Sequence, residues 1–444
     1  MQLDTGDTAW VLASAALVLL MTPGLAFFYG GMVRVKSVLN MLMMSAICIA
    51  LVSVLWVLYG YSLAFGTDAW HGLIGNLDHV GLKDTIGHVS GTVPTLAFSA
   101  FQLMFAIITP ALITGAIADR AKFAAWTLFA ALWVTIVYFP VAHWVFFFDG
   151  GHGGWLGDRH GVLDFAGGTA VHINAGAAAL ALALVLGKRK GWPKEPMRPH
   201  NVAFVFLGAA LLWFGWFGFN AGSAVGASDL ASTAFMNTQV ATAAAAIGWI
   251  LVERFRDGKP TTLGFASGAV AGLVAITPAC AAVDPLGAIL VGLVAGVICA
   301  YAIGMKYRFG FDDSLDVVGV HLVGGIVGSL IIGFLATATV TGGPEGVFYG
   351  GGFAQLGRQA LGVAAVGGYS FVLSFLLGKL IDKTIGFRVS EEAEASGIDL
   401  AEHAESAYEF GQVGAGTFTP GHAPAARAGA TASTTTTIEG GVRA

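Results

Sequence analysis

The chain has 444 residues, of which 56% are hydrophobic and only 11% are charged. Soluble globular domains carry about a quarter charged residues, so this composition excludes an ordinary soluble protein and indicates one embedded in a membrane. The formal net charge is −5 and no block of basic residues occurs, which argues against nucleic acid as a partner.

The first eight residues carry Asp4 and Asp7 but neither Lys nor Arg. A signal peptide needs a positively charged start, so we expect this segment to be retained as the outer end of the first span. Crossing the hydrocarbon core takes about 20 apolar residues, and eleven runs meet that requirement. In chain order they cover residues 9–32, 38–65, 95–118, 123–148, 165–187, 201–222, 233–253, 262–280, 285–304, 315–337 and 357–382.

Lysine and arginine fall mainly on alternate loops between these runs, and cytoplasmic loops carry the excess of basic residues. The opposite loops hold only Lys83, Arg159 and Arg358. With an odd number of spans, this asymmetry predicts an outside N-terminus and a cytoplasmic C-terminus. The basic residues of the predicted cytoplasmic loops are Arg34, Lys36, Arg120, Lys122, Lys188, Arg189, Lys190, Lys194, Arg198, Arg254, Arg256, Lys259, Lys306 and Arg308.

Two predicted spans contain ionisable residues. The fifth carries Asp164 and His172, and the tenth carries Asp316 and His321. Ionisable groups at hydrocarbon depth are rare and usually face a bundle interior or a cavity. The fifth and tenth spans run in opposite directions, so both imidazoles could reach the middle of the membrane. Spans 1–5 and 6–10 are therefore predicted to be inverted halves around a midplane site, with the eleventh helix as an addition.

A facing pair of histidines could relay a proton or hold a small polar solute, because imidazole both donates and accepts hydrogen bonds. The alternatives are packing residues with satisfied hydrogen bonds, or a metal site, for which a third ligand at suitable spacing is missing. Asp164 and Asp316 are each interpreted as the N-cap of their helix. A cap near an outer vestibule would also bias the local potential toward cations.

Aromatic residues cluster near the predicted outer ends of the third and sixth spans, in Phe101-Gln102-Leu-Met-Phe105 and Trp216-Phe-Gly-Phe-Asn-Ala-Gly-Ser223. Such residues usually face lipid or core, but an aromatic face also attracts a small cation by about 0.5 to 2 kcal/mol. Ser223 lies four residues after Phe219, on the same helix face, and could accept a hydrogen bond. The combination suits a cation that donates hydrogen bonds.

Other chemistries find little support. There is no GxxxxGK[ST] motif for ATP, and Cys48, Cys280 and Cys299 lie in apolar surroundings without metal-ligand spacing. We therefore expect no cofactor and no enzymatic activity. After Arg388 the composition changes, which predicts a membrane domain at residues 1–388 and a cytoplasmic tail at 389–444, largely disordered at its end.

These motifs resemble the ammonium transporters of the Amt/MEP/Rh superfamily, in its bacterial Amt branch. The resemblance extends from Pro23-Gly24 to the tail segment Gly386-Phe-Arg388-Val. It rests mainly on four strings: Asp164-Phe-Ala-Gly-Gly-Thr-Ala-Val-His172-Ile-Asn-Ala, Gly215-Trp-Phe-Gly-Phe-Asn-Ala-Gly-Ser223, Thr277-Pro-Ala-Cys280 and Asp316-Val-Val-Gly-Val-His321.

The resemblance implies an all-α, multi-pass protein of the plasma membrane that transports ammonium or ammonia. It implies a homotrimer with one pore per subunit and a PII-type signalling protein as a partner at the cytoplasmic face. The roles that it implies are an outer ammonium site at Phe105 and Ser223, a gate of Phe105 and Phe219, a pore lined by His172, His321 and Trp216, a conduction acid at Asp164, and a vestibule of Phe101, Tyr138 and Thr277.

Position 146 departs from the family pattern, because many relatives have a tryptophan there to complete the outer cation site. Phe146 keeps an aromatic face but lacks the indole N–H donor and has a weaker quadrupole. Trp144 is two residues away on the opposite side of a helix, so it cannot take over this role. We expect weaker outer recruitment than in relatives that carry the tryptophan.

A bare cation pays many kcal/mol to enter a narrow apolar pore, whereas neutral ammonia pays much less. The sequence therefore favours deprotonation before the pore, with the proton either returned outside or carried separately. Two alternatives are an ammonium sensor and a neutral-gas channel of the Rh type. A sensor would favour a soluble signalling domain, which residues 389–444 are too short to supply, and an outer cation site would be superfluous in a gas channel.

Overall fold

The computed structural model describes residues 2–408, and eleven helices within this range are long and apolar enough to cross a membrane. This confirms the predicted number of spans, and their ends agree with the predicted runs to within a few residues. Spans 1 to 11 are Thr5–Met32, Val38–Phe65, Thr95–Ile117, Phe123–Phe146, Gly168–Leu186, Val202–Ala224, Asp229–Arg256, Thr262–Ala279, Pro285–Phe309, Val318–Leu335 and Ala354–Thr384.

Several spans depart from continuous α-helix. Span 2 contains a π-helical turn at Trp56–Gly60 and span 4 contains one at Val134–Tyr138. Spans 5 and 10 both begin with a π-helical segment, at Gly168–Ile173 and Val318–Leu322. Such wide turns are rare and often lie at functional sites. The π-helical segments of spans 5 and 10 each contain one of the two predicted pore histidines.

The connecting segments hold little further regular structure. Strands β1, Val89–Ser90, and β2, Val93–Pro94, form an antiparallel pair in which Val89 lies opposite Pro94. Span 6 ends in the 3₁₀ turn Gly222–Ala224, and span 9 is divided into Pro285–Ala302 and Met305–Phe309. The remaining short helical segments are Val80–Leu82, Ala338–Thr341, Val347–Tyr349, Glu391–Ser396 and Asp399–His403.

The packing of the spans repeats between the two halves. Span 1 packs on span 3 as span 6 packs on span 8, and span 2 packs on span 4 as span 7 packs on span 9. Spans 5 and 10 contact each other between the halves, and spans 1 and 6 pack along one another. Five crossings separate each pair of equivalent spans, so the halves run in opposite directions, as predicted. Span 11 packs on spans 5 and 10 outside this repeat.

The cap of span 10 corrects one prediction. Asp313 accepts hydrogen bonds from the backbone amides of Val317 at 3.1 Å and Val318 at 2.8 Å. Asp316, which we expected to be the cap, has a positive φ of 66° and pairs instead with Lys306, with Oδ1 and Nζ 2.6 Å apart. An N-cap residue typically has backbone angles in the β region, and the positive φ of Asp316 lies outside that region.

Close helix contacts depend on glycine where spans 7 and 9 meet. A Cβ atom added at Gly292 would lie 2.1 Å from the carbonyl oxygen of Ala241, and one at Gly296 would lie 2.2 Å from that of Ala245. Small residues let membrane helices approach closely enough for their backbones to touch. The many glycines of the sequence thus allow a tight bundle.

A buried ionic cluster joins the loops that carry most of the basic residues, and we call this side of the bundle the basic face. Arg189 donates to Asp312 from Nε and Nη2, both at 2.9 Å, and to Asp119 from Nη1 at 3.0 Å. Arg120 donates to the carbonyl of Asp312 at 2.6 Å. The cluster ties together the loops after spans 3, 5 and 9. The topology prediction assigns the basic face to the cytoplasm.

The segment 389–407 packs against the basic face. Glu394 is 1% exposed and accepts from the Lys190 amide and the Arg388 guanidinium, both at 2.6 Å. Asp399 accepts from the Asn40 amide at 2.8 Å. The remainder of the predicted tail, including the segment expected to be disordered, lies outside the described residues.

Replacing Arg189 with methionine should strongly destabilise the bundle. Burial alone would raise the pKa of Asp312, but hydrogen bonds from Arg189 and the charge of Arg120 outweigh it and hold the pKa below its usual range. Removing one partner of a buried ion pair costs roughly 3 to 5 kcal/mol. Thermal unfolding of the detergent-purified protein should therefore begin at a markedly lower temperature.

The matched control is Arg256→Met, whose partner Asp257 is 48% exposed in its side chain. An exposed pair is solvated and screened, so this variant should unfold close to the wild-type temperature. Equal losses in the two variants would contradict a structural role of the buried cluster.

Candidate functional site

A cavity of about 430 Å³ opens on the side of the bundle opposite the basic face, and we call it the outer cavity. It brings together the predicted outer-site residues Phe105, Phe146 and Ser223, and Asp164 lines it as well. The Ser223 hydroxyl donates to the Phe219 carbonyl at 2.8 Å, which leaves its oxygen lone pairs free to accept. The cavity therefore offers aromatic faces, a hydroxyl acceptor and a nearby carboxylate.

Two phenylalanine rings close the bottom of the outer cavity. Phe105 and Phe219 are both almost fully buried, and their ring centroids are 4.4 Å apart at an interplanar angle of 44°. Phe101 packs edge-on against Phe105 at 4.9 Å and supports it from behind. The predicted gate pair is thus in contact, and anything that passes between the rings must displace one of them.

Beneath the rings lies a chamber of only about 10 Å³. That volume is about what a single water molecule requires. Apart from the rings of His172, His321 and Trp216, its walls are aliphatic, thioether or phenyl side chains. The apolar wall residues are Met21, Leu25, Ile108, Leu112, Val171, Leu212, Phe219 and Val270.

The two histidines lie side by side in this chamber. Their ring centroids are 5.3 Å apart at an angle of 22°, and their Nδ1 atoms are 3.3 Å apart. A hydrogen bond between the two Nδ1 atoms uses a single hydrogen, so one ring donates and the other accepts. The accepting ring then carries its hydrogen on Nε2, whereas the donating ring has a lone pair there. The pair thus presents one donor and one acceptor to the chamber.

Apart from its hydrogen bond to His321, the His172 ring is held by stacking on the aromatic wall of the chamber. Its ring lies 5.4 Å from that of Trp216 and 6.0 Å from that of Phe219, both nearly parallel. Its Nε2 atom is buried and has no hydrogen-bond partner within residues 2–408. A buried polar atom without a partner costs free energy unless a solute or water can reach it. This atom can therefore form a hydrogen bond with a polar solute that enters the chamber.

Asp164 lies between the outer cavity and the start of span 5. Oδ1 accepts from the amides of Gly167 at 2.9 Å and Gly168 at 2.5 Å, and Oδ2 accepts from the amides of Thr169 at 2.8 Å and Ala170 at 3.2 Å. The Thr169 hydroxyl also donates to Oδ2. A carboxylate has about four lone-pair sites, so these donors occupy it fully. Asp164 can act on the cavity through its charge, but accepting a proton would require releasing a backbone bond.

The three predicted vestibule residues do not line the outer cavity. Thr277 accepts from the Trp216 indole N–H at 2.8 Å and so fixes the pore wall. Tyr138 is buried on the π-helical turn of span 4, and Phe101 packs against Phe105. Thr277 and Phe101 thus support residues that face the path.

The two aromatic residues near the end of span 4 have separate positions. Phe146 is partly exposed and lines the outer cavity, whereas Trp144 does not belong to its lining. The Trp144 indole N–H donates to the Leu73 carbonyl at 2.7 Å, and the ring packs 4.6 Å from Tyr369. The Trp144 indole is thus bound outside the outer cavity, and span 4 contributes no indole donor to that cavity.

Sequence reasoning missed some of the cavity wall. Gln102 lies inside the aromatic string of span 3, and its amide is an additional polar side chain on that wall. Leu163 and Phe165 flank Asp164 and line the cavity with it. The polar Gln102 in an apolar run was a usable signal, but the two apolar neighbours of Asp164 carried none. No group of three or more His, Cys, Asp or Glu side chains in the described part of the chain is placed to hold a metal ion.

A model of the Ammonium Transporter Family matches residues 9–408. The chain is 61% identical to a protein named "Ammonium transporter" from Mycobacterium tuberculosis strain H37Rv, over 92% of this chain and 91% of the relative.

Solved structures agree with that match. The structure of Candida albicans Mep2 superposes with a TM-score of 0.83 at 37% identity, covering 91% of both chains. A structure described as "Sensor Amt Protein" has a TM-score of 0.83 at 31% identity, covering 90% of this chain and 98% of the other.

Proposed function

The chain belongs to the Ammonium Transporter Family. We propose that it recruits ammonium in the outer cavity, removes one proton and passes ammonia through the histidine-lined pore. As a member of the family it is a multi-pass protein of the cell membrane and a channel or transporter for ammonium, not an enzyme. The proposed steps of transport rest on the residues of the outer cavity and the pore chamber.

Recruitment takes place between Phe105, Phe146 and Ser223. The aromatic faces attract a cation, and the Ser223 oxygen accepts one of its N–H groups. The buried carboxylate of Asp164 adds a negative potential on the same side. This arrangement favours a small cation that carries hydrogen, and it distinguishes ammonium from a neutral gas before either reaches the gate.

Deprotonation follows from the size of the pore chamber. A space of about 10 Å³ cannot hold a hydration shell, so a cation there would be bare among apolar walls. The penalty for a bare charge is several kcal/mol even after relaxation. Ammonia needs only a donor and an acceptor, and the two Nε2 atoms of the histidine pair can supply one of each. The proton therefore leaves before or at the Phe105–Phe219 gate.

The observation that supports this proposal most directly is the stacked histidine pair with its shared Nδ1 hydrogen bond in an otherwise apolar chamber. The pair could also move the separated proton: when the donating ring takes up a proton at its Nε2, the shared hydrogen shifts to the other ring, and that ring releases its own proton from Nε2. Whether the proton follows the ammonia or returns outside determines whether net charge crosses. The family match and the relative named ammonium transporter do not favour the ammonium sensor, and the outer cation site argues against the neutral-gas channel of the Rh type.

We also propose a homotrimer and a PII-type partner at the basic face. Both proposals rest on the resemblance, and the second is further motivated by the basic loops. Native mass spectrometry that finds only monomers would refute the first. The second fails if a purified PII-type protein does not bind under any nucleotide condition.

Replacing Phe146 with tryptophan should strengthen recruitment. The indole adds an N–H donor and a stronger quadrupole to the cavity wall, worth about 0.5 to 1 kcal/mol at a partly exposed site. The apparent affinity for ammonium should rise by about two- to fivefold in proteoliposome transport assays. Trp144→Phe removes an indole donor that points outside the cavity and should leave the affinity unchanged. An unchanged affinity in Phe146→Trp would contradict the assigned role.

Replacing the pore histidines with acids, as His172→Asp and His321→Glu, should impair transport. A carboxylate cannot provide the paired donor and acceptor, and losing a positioned proton-transfer group costs about a hundredfold or more. Internal pH and current should be recorded together in proteoliposomes, because neutral and charged transport then both give a signal. The variant with the larger loss locates the proton step.

His88→Asp places the same acid on an exposed loop and serves as the control. If both pore variants transport at the rate of this control, the histidine pair takes no part in conduction.

A further inference from the structure

One buried amide in span 11 uses all of its hydrogen-bonding capacity. Gln359 is 0% exposed. Its Nε2 donates to the carbonyl of Leu163 at 2.7 Å and to that of Ser329 at 3.1 Å. Its Oε1 accepts from the Leu163 amide at 2.8 Å and from Gln355 Nε2 at 2.9 Å. Two donated and two accepted bonds fix both the position and the orientation of this side chain.

The backbone held in this way lies next to the conduction acid. Gln359 engages both the N–H and the C=O of Leu163, much as a neighbouring strand would, and Leu163 directly precedes Asp164. Both residues line the outer cavity. Asp164 in turn caps span 5 through the amides after it. The loop is thus fixed on one side by its own helix and on the other by Gln359.

A second glutamine extends this contact along the loop. Gln355 is 2% exposed, and its Nε2 donates to the Gly161 carbonyl at 3.2 Å as well as to Gln359. Arg358 donates to Gln355 Oε1 at 3.2 Å and orients that amide. We call Gln355 and Gln359 the amide clamp. It ties residues 161–163 to span 11, and through the Ser329 carbonyl to span 10.

The opposite half of the bundle holds the equivalent position with different residues. Asp313 caps span 10 eight residues before His321, as Asp164 precedes His172 by eight residues. The residue before it, Asp312, has its carbonyl bound by Arg120 and its carboxylate bound by Arg189. Both capping aspartates are therefore preceded by a residue anchored to a buried polar side chain. On the outer side, span 11 provides that anchor.

We propose that Gln359, assisted by Gln355, is a positioning residue that sets the Asp164 carboxylate against the outer cavity. The proposal rests on the proposed function of Asp164, whose negative potential helps to recruit ammonium in the outer cavity. Misplacing a functional group of a site by about 1 Å can cost about a hundredfold in rate. Releasing Leu163 would move Asp164 relative to Phe105 and Ser223 without removing any of them. The eleventh helix then has a part in transport as well as in packing.

The test compares Gln359→Leu, Gln355→Leu and Asp164→Asn with the wild-type protein in proteoliposomes. Ser374→Ala is the matched control, because Ser374 lies on the same helix, is fully buried and accepts from the Trp133 indole at 2.9 Å without touching the loop. Transport is normalised to folded protein and measured as initial rate against ammonium concentration. Hydrogen exchange of the peptide covering residues 161–167 is measured in parallel.

If the amide clamp holds the loop, hydrogen exchange in this peptide should be faster in Gln359→Leu and, to a smaller extent, in Gln355→Leu. Transport per folded protein should fall by about tenfold or more in Gln359→Leu, with a change in the ammonium concentration that gives half-maximal rate. Ser374→Ala should retain wild-type exchange in this peptide and wild-type transport. A purely structural role would lower the yield of folded protein but leave both of these readouts unchanged.

The outcomes separate the two hypotheses. If Asp164→Asn loses transport while Gln359→Leu exchanges faster in the loop but transports normally, the positioning role is wrong and the proposed function stands. If Asp164→Asn transports like the wild type, the proposed function of Asp164 fails, and the positioning role fails with it. If Gln359→Leu does not fold, Gln355→Leu decides by the same two readouts, and normal exchange with normal transport overturns the proposal.

Discussion

The cost of placing an unsolvated charge in an apolar space governs this protein. The chamber around His172 and His321 has room for about one small molecule, and its other walls offer almost no hydrogen bonds. The bundle can build such a chamber because glycines let its helices approach closely and because Phe105 and Phe219 close it from above. Under the proposed mechanism, a neutral solute passes through the chamber, whereas a cation is stabilised only in the outer cavity.

The polar side chains along the path lie where irregular helix geometry leaves backbone groups free or supplies hydrogen-bond partners. Spans 5 and 10 each start with a π-helical segment, and each is capped by an aspartate eight residues before its histidine. Because the two spans enter from opposite faces, this repeated unit brings the imidazoles together in the middle. The same unit leaves Asp164 at one end, beside the outer cavity. The inverted repeat thus pairs the two histidines in the middle of the bundle and places Asp164 at one end, beside the outer cavity.

Sequence reasoning was most successful where composition alone decides the structure. Apolar runs locate all eleven spans. A criterion of apolar residues leaves out polar helix starts such as Ser228-Asp229, so span 7 begins earlier than predicted. Which of Asp312, Asp313 and Asp316 caps span 10 is decided by where the π-helical segment begins and by the left-handed backbone of Asp316. The residue types alone specify neither feature. Gln359 could be noticed as an amide in an apolar run. Its contact with Leu163, in the loop before span 5, could not be predicted, because 196 residues separate the two.

The central claim is that the substrate must lose a proton to pass. Potassium has nearly the size and the charge of ammonium but no proton to lose, so it provides the most direct test. Proteoliposomes should be given equal inward gradients of ammonium or potassium, with internal pH and current recorded. The account predicts an ammonium-dependent signal and no potassium flux above that of protein-free vesicles. Potassium flux at a rate comparable to that of ammonium would contradict it.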